Sequence, residues 1–170
     1  MKILILNGSP HPSGNTKALV DAFTIGAQSA GHTVLELPVG TMNIKGCLGC
    51  EYCHKKGEGK CVQRDDMDKV YPELATADMI VFASPVHYFG FSGQMESAIS
   101  RFYAPFQPAA KKYALILSSA SPNVQKGIEA QHKTMVGFFK AEDMGILEVV
   151  GDENGSAEAL KKAEALGAKV

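Results

Sequence analysis

The chain has 170 residues, 45% of them apolar and 21% charged, with a formal net charge of -1. A chain this long can bury roughly 70% of the surface its unfolded form exposes, so a hydrophobic core suffices without disulfide staples. Near-neutral charge gives no basic face for nucleic acid, whose phosphates demand clustered Lys and Arg, and 17 Gly with 8 Pro in no repeat period exclude fibrous and disordered classes. The apolar run after Met1 is too short for a signal-peptide core, and no run reaches the about 18 residues of a membrane span; a cytoplasmic protein with no membrane partner is expected.

In chain order, short runs rich in Ile, Leu and Val at 2–6, 33–37, 79–83, 113–117 and 146–150 read as strands buried on both faces. Segments of helical period lie between them. Leu19, Phe23 and Ala27 share one face; so do Met95, Ala98, Ile99 and Phe102, and then Ile128, Met135, Phe138 and Phe139. A last Ala-rich helix follows Ser156, a good N-cap, and carries Leu160 and Leu166 toward the sheet. Alternating strands and helices imply parallel strands joined by right-handed crossovers in a three-layer α/β/α sandwich. No linker divides it, so residues 1–170 read as one domain. One connection, 38–64, is far longer than such units need, and connections of that length are usually functional. A helix is expected near Asp65 or Asp66, with Asp65, Asp66 and Asp68 as favourable charge at its start.

The first strand runs into Asn7-Gly8-Ser9-Pro10-His11-Pro12-Ser13-Gly14-Asn15-Thr16-Lys17, a turn-rich loop that opens directly into an amphipathic helix. A helix N-terminus offers unpaired N–H groups and partial positive charge, and Ser9, Ser13, Asn15 and Thr16 add side-chain donors around Gly14; the set suits a phosphate. The nucleoside-triphosphate loop needs Gly-Lys-Ser/Thr at its end, where Asn15 stands instead of Lys, and the dinucleotide Gly-x-Gly-x-x-Gly pattern is absent. A terminal monophosphate is the better match. A plainer reading makes Ser13 or Asn15 a helix cap.

The third strand runs into Pro85, Val86, His87, Tyr88 and Phe89, at the carboxyl edge of the sheet. In strand order 2-1-3-4-5 the crevice opens between strands one and three, where both loops meet; flavodoxin, with FMN at that point, is the reference case of the rule. A flavin ring needs an apolar face and backbone N–H groups, which these residues can supply. The plainer reading packs Tyr88, Phe89 and Phe91 under a neighbouring subunit.

These two loops resemble the NADPH-dependent FMN reductase branch of the flavodoxin-like proteins, through Gly8-Ser9-Pro10 with Ser13-Gly14-Asn15-Thr16 and through Ser84-Pro85-Val86-His87-Tyr88. The resemblance spans nearly the whole chain. It implies a five-stranded flavodoxin-like fold of order 2-1-3-4-5, FMN phosphate held by Ser9, Ser13, Asn15 and Thr16, and a flavin ring lined by residues 85–89. It also implies that Ser118, Ser119 and Ala120 close the other side.

Cys47, Cys50, Cys53 and Cys61 all fall in the long connection, punctuated by Gly46, Gly49, Gly57 and Gly59. Four thiolates so close suit a 4Fe-4S cluster or zinc, and thiols without metal, reduced or disulfide-forming, are the alternative. The pattern also resembles the iron-sulfur flavoproteins, flavodoxin-like proteins with a compact Cys cluster in the same connection. The function expected is an oxidoreductase that moves electrons from NAD(P)H through FMN to a small-molecule acceptor or redox protein. A non-catalytic FMN carrier and a flavin-free metal or thiol sensor are the alternatives. Lys55, Lys56 and Lys60 form a small basic patch that could meet the extra phosphate of NADPH. His87 lies beside the expected flavin without a carboxylate to orient it; His11 and His54 fall in loops, and His32 and His132 read as surface residues. Exposed aromatics predict a homo-oligomer, dimer or tetramer.

Overall fold

The computed structural model describes residues 1–104 and 108–170. Five parallel strands, β1 (Lys2–Asn7), β2 (Thr33–Leu37), β3 (Met79–Pro85), β4 (Lys112–Ser119) and β5 (Glu142–Val150), form one sheet in the order β2-β1-β3-β4-β5. The helices are α1 (Asn15–Ser29), α2 (Met67–Leu74), α3 (Gly93–Ser100), α4 (Lys126–Phe138) and α5 (Ala157–Lys169). This is the flavodoxin-like arrangement.

The central strands are covered on both faces. Leu4, Leu6, Ile80, Phe82, Leu115 and Leu117 pack with side chains of α2, α3 and α4, while Ile3, Ile5, Val81, Ala83, Ala114 and Ile116 face α1 and α5. Strand side chains alternate, so each continuous apolar run fills two cores at once. The edge strands depart from the expected full burial: β2 is mostly half-buried and β5 is exposed over Glu142 and Asp143, because each has one neighbour. β5 begins four residues earlier than its apolar run, since pairing with β4 continues through a bulge at Tyr113/Ala114 that passes over Met144.

Helix faces mostly follow the sequence pattern, with two corrections. On α4 the buried stripe is Ile128, His132 and Val136, at i, i+4 and i+8, so Phe138 turns outward at 59% exposure and His132, expected at the surface, is fully buried. On α5, Ser156 caps as expected by accepting from Ala159 N, but the face against α1 is Ala159, Ala163 and Gly167, with Leu160 and Leu166 only partly buried. The α1–α5 contact is very close: a Cβ on Gly167 would stand 2.1 Å from Phe23 O, and one on Gly26 would stand 1.9 Å from Glu164 O.

Candidate functional site

All the strands are parallel, so the loops that follow β1, β3, β4 and β5 collect at one edge of the sheet. There, Asn15, Pro85, Val86, His87, Ser118, Ser119, Ala120, Gly151, Asp152 and Asn154 line a cleft of about 450 Å³, within the size range of ligand sites. Asn15, residues 85–87 and residues 118–120, singled out on three separate loops, therefore line one cleft, while Ser9, Ser13, Gly14, Thr16, Tyr88 and Phe89 are not among its lining residues. Gly151, Asp152 and Asn154, from the loop after β5, were not anticipated. The available signal was Gly151 and Gly155, both at positive φ, at the exit of a fifth strand that must end at the same edge.

The loop after β1 is built by its own short side chains. Ser9 N donates to Asn7 Oδ1 (3.0 Å), the Ser9 hydroxyl exchanges bonds with the His11 backbone, and Gly14 N donates to His11 O (3.1 Å). The N-cap of α1 is Gly14, which has no side chain to offer, and neither Ser13 nor Asn15 caps the helix. No acidic side chain lies in the first turn either. By contrast, α3 and α5 are capped by the Ser92 and Ser156 hydroxyls. The start of α1 thus keeps its free N–H groups and partial positive charge at the mouth of the cleft.

Thr16 is buried and its hydroxyl lies 2.8 Å from that of Ser118, tying the phosphate-type loop to the end of β4. Ser13 is exposed. Ser9 sits on the far side of the loop, lining a second recess with Asn7, Lys17 and Glu36. The loop is held from behind by Gly40, whose N–H donates to Asn7 O (2.8 Å); a Cβ there would lie 2.1 Å from Ser9 O.

The other wall is a tight hairpin. His87 and Gly90 exchange backbone hydrogen bonds of 2.9 and 3.1 Å around Tyr88 and Phe89, which both take positive φ, 48° and 70°. Two-residue turns of this kind favour Asn-Gly, and a bulky residue at such φ costs about 1–2 kcal/mol. Tyr88 is 96% exposed and Phe89 59%, so burial does not repay that cost. With Val86, Ser119, Ala120, Ser121 and Val124 they border a recess of about 290 Å³ beside the main cleft. Phe91 is not part of the exposed group: it is 3% exposed and packs against Phe82.

The long connection holds a second site. Cys47, Cys50, Cys53 and Cys61 line one small cavity together with Arg101 and Tyr103. Its frame is polar: Asn43 N and Lys45 N donate to Asp66 and Asp65, Cys47 N donates to Ser100 Oγ (3.1 Å), and Gly49 N donates to the Cys47 sulfur (3.4 Å). Burial raises the Cys53 thiol above its ordinary range, and the neighbouring Cys61 and Cys47 sulfurs push the same way. Among the described residues no three His, Cys, Asp or Glu side chains converge on the point a single ion would occupy. That counts less against a cluster, whose four irons sit at separate corners and need thiolates further apart than one ion does. Lys55, Lys56 and Lys60 are exposed on the same connection.

Arg101 is the residue the sequence reading overlooked. It is 1% exposed, and its Nη1 donates to Asp65 Oδ2 (2.7 Å) and Lys45 O (2.9 Å) while Nε donates to Tyr71 OH (3.2 Å). Asp65 is thus more than helix-start charge: its carboxylate is 1% exposed and paired. Burial alone would raise its pKa, but the Arg101 guanidinium and the N–H groups of Lys45 and Met67 hold it below the usual carboxylate range. The Tyr71 hydroxyl is pushed up to about 12, first by burial. Nothing in sequence spacing connects positions 65 and 101.

No helix among the described residues is long and apolar enough to cross a membrane. Residues 1–163 match the family described as NADPH-dependent FMN reductase. The chain is 33% identical over 183 aligned residues to an iron-sulfur flavoprotein of Archaeoglobus fulgidus, covering 100% of this chain and 79% of that protein. It is 31% identical to an iron-sulfur flavoprotein of Methanocaldococcus jannaschii over 92% of this chain and 79% of the relative. In fold it is similar to an NAD(P)H:quinone oxidoreductase from Methanothermobacter marburgensis, with a TM-score of 0.77 and 17% identity over 99% of this chain and 98% of the other. The chain belongs to the NADPH-dependent FMN reductase family, among its flavodoxin-like oxidoreductases similar to iron-sulfur flavoproteins.

Proposed function

We propose that the chain is an NAD(P)H-dependent oxidoreductase that holds FMN in the cleft at the carboxyl edge of the sheet and a 4Fe-4S cluster on Cys47, Cys50, Cys53 and Cys61. The observation that carries the reading is the convergence of Asn15, Pro85, Val86, His87, Ser118, Ser119 and Ala120 on one cleft beside the uncapped start of α1. When bound, FMN takes two electrons together and releases them singly, and an iron-sulfur cluster passes one at a time.

The chain's own residues bind and orient. The free N–H groups of Asn15 and Thr16, with the loop residues Ser13 and Gly14, would receive the terminal phosphate, Thr16 from a position fixed by Ser118, while Ser9 shapes the loop from its far side through its bonds to Asn7 and His11. Pro85, Val86 and the Tyr88-Phe89 hairpin shield one side of the ring from water, and Ser118, Ser119 and Ala120 bound the other. No protein nucleophile is required for this reaction type, because orientation and exclusion of water are what the protein contributes. α3 links the two sites: its cap Ser92 donates to Gly8 O (2.6 Å) at the phosphate loop, and Ser100 at its other end holds Cys47 N. Eight residues of helix set those ends about 12 Å apart.

The exposed Tyr88 and Phe89 support a homo-oligomer in which a second copy covers the open side of the cleft. The acceptor is a small molecule or a redox protein, and the four thiols suit a reducing cytoplasm.

The test is anaerobic purification with a visible spectrum, iron and acid-labile sulfide assays on one sample, and NADPH oxidation. Flavin bands over a broad brown absorbance, with about four iron and four sulfide per chain and steady NADPH turnover, are expected. Flavin without iron refutes the cluster. A chain that stays colourless after incubation with FMN refutes the cleft assignment, and loading without turnover leaves an electron carrier.

A further inference from the structure

Among the buried polar atoms of the described residues, Arg101 Nη2 has no hydrogen-bond partner, although Nε and Nη1 of the same guanidinium are satisfied. A buried donor left unmade is costly, and a cation more so, so such an atom normally has a use. Arg101 borders the cavity that the four cysteines line. Its charge is balanced by one carboxylate, Asp65, and its orientation is fixed from three sides by Asp65, Lys45 O and Tyr71. The residues flanking it also serve the cysteine loop: Ser100 accepts from Cys47 N, and the Tyr103 hydroxyl donates to Glu51. A guanidinium held this rigidly, with two N–H bonds unspent on a residue that lines the cavity of the four cysteines, is a preorganised donor to an anionic sulfur centre.

Resting on the cluster reading above, we propose that Arg101 is a positioning residue whose Nη2 donates to a thiolate or sulfide of the centre bound by the four cysteines and raises its reduction potential. Reduction by one electron adds one negative charge to the centre. No bond forms or breaks at Arg101, and the N–H proton stays on Nη2. Hydrogen bonds to sulfur favour the more negative state, which is the sense in which such contacts tune iron-sulfur potentials.

Wild type and variants are reconstituted anaerobically with ferrous iron and sulfide, assayed for both, and titrated with dithionite while the reduced centre is followed by electron paramagnetic resonance. Replacing Arg101 alone would strand a buried carboxylate, so the main variant is R101M combined with D65N, which keeps the buried pair neutral. Its expected result is an about tenfold loss in the equilibrium for one-electron reduction, a midpoint lower by about 59 mV. R101K, which keeps the charge but not the fork, is expected to fall between it and wild type. Iron loading with a wild-type midpoint in either variant overturns the proposal, because a purely structural Arg101 would alter occupancy and not potential. Should the double variant not load, R101K decides alone. Wild type that takes up no iron or sulfide overturns the cluster reading itself, a different result from an unshifted midpoint in a loaded variant.

Discussion

The hairpin at Tyr88 and Phe89 gives a prediction in which stability and binding move in opposite directions. Both residues hold positive φ while standing almost free of the core, and each costs about 1–2 kcal/mol there. Replacing them with the pair such turns favour, Y88N with F89G, relieves about 2 kcal/mol in all. Their mutual edge contact, at 5.4 Å between centroids and 74°, is lost with them and is worth about 0.5–1.5 kcal/mol. The net is a gain of about 1 kcal/mol, or a rise of roughly 2–4 °C in the melting temperature of the flavin-free chain. Flavin contact is removed at the same time: one stacking partner is worth about 0.5–1.5 kcal/mol, so the FMN Kd should weaken roughly two- to tenfold. Scanning calorimetry on the flavin-free protein and FMN fluorescence quenching read the two effects separately. A lower melting temperature would refute the strain argument, and unchanged FMN affinity would refute the assignment of the hairpin to the flavin ring.

Gly40→Ala places a Cβ against the Ser9 carbonyl; the displaced phosphate loop should bind FMN about tenfold more weakly, or about 1.4 kcal/mol, measured by the same titration, and an unaltered Kd would separate this contact from the phosphate site. Gly167→Ala should gain about 1 kcal/mol of helix propensity yet lose more by forcing α1 and α5 apart. A net loss of about 2 kcal/mol would lower the melting temperature by roughly 4–8 °C, and a rise would show that the helices can part without cost. His132 is buried, with Nε2 against Asp143 and its ring against Phe82, and burial depresses its pKa despite that carboxylate. The unfolded chain therefore binds its proton first as pH falls below about 6.5. The stability from this residue is complete above that pH and is lost as the pH drops toward and through the lower folded value. Urea unfolding of His132→Gln across that range should show a shallower pH slope than wild type, and an equal slope would assign the effect elsewhere.

How much was legible in the sequence differs from feature to feature for physical reasons. Strand centres such as 79–83 and 113–117 declare themselves because both faces are buried and the run is continuously apolar, and alternation with helices then leaves few topologies. The phosphate-type loop and the hairpin are local: their chemistry is written in contiguous residues, and parallel strands send both to one edge. Edge positions are less legible, since Glu142 and Asp143 continue β5 through backbone pairing to β4 alone. So are helix faces, where Phe138 and His132 exchange their expected places because the angle of α4 on the sheet, set by tertiary packing, selects the stripe.

By itself, the sequence determined the apolar centres of the five strands, that they lie parallel, and that a donor-rich turn opens α1. The tertiary structure decided what depends on distant pairing. It joined Thr16 to Ser118, brought Asn154 to Ser119 O, and set Gly40 behind Ser9. It also paired Asp65 with Arg101 and set Arg101 in the wall of the cavity that the four cysteines line. A buried guanidinium with an unspent donor leaves no periodic mark on the chain, because its partners are fixed by folding in three dimensions and not by their spacing along the backbone.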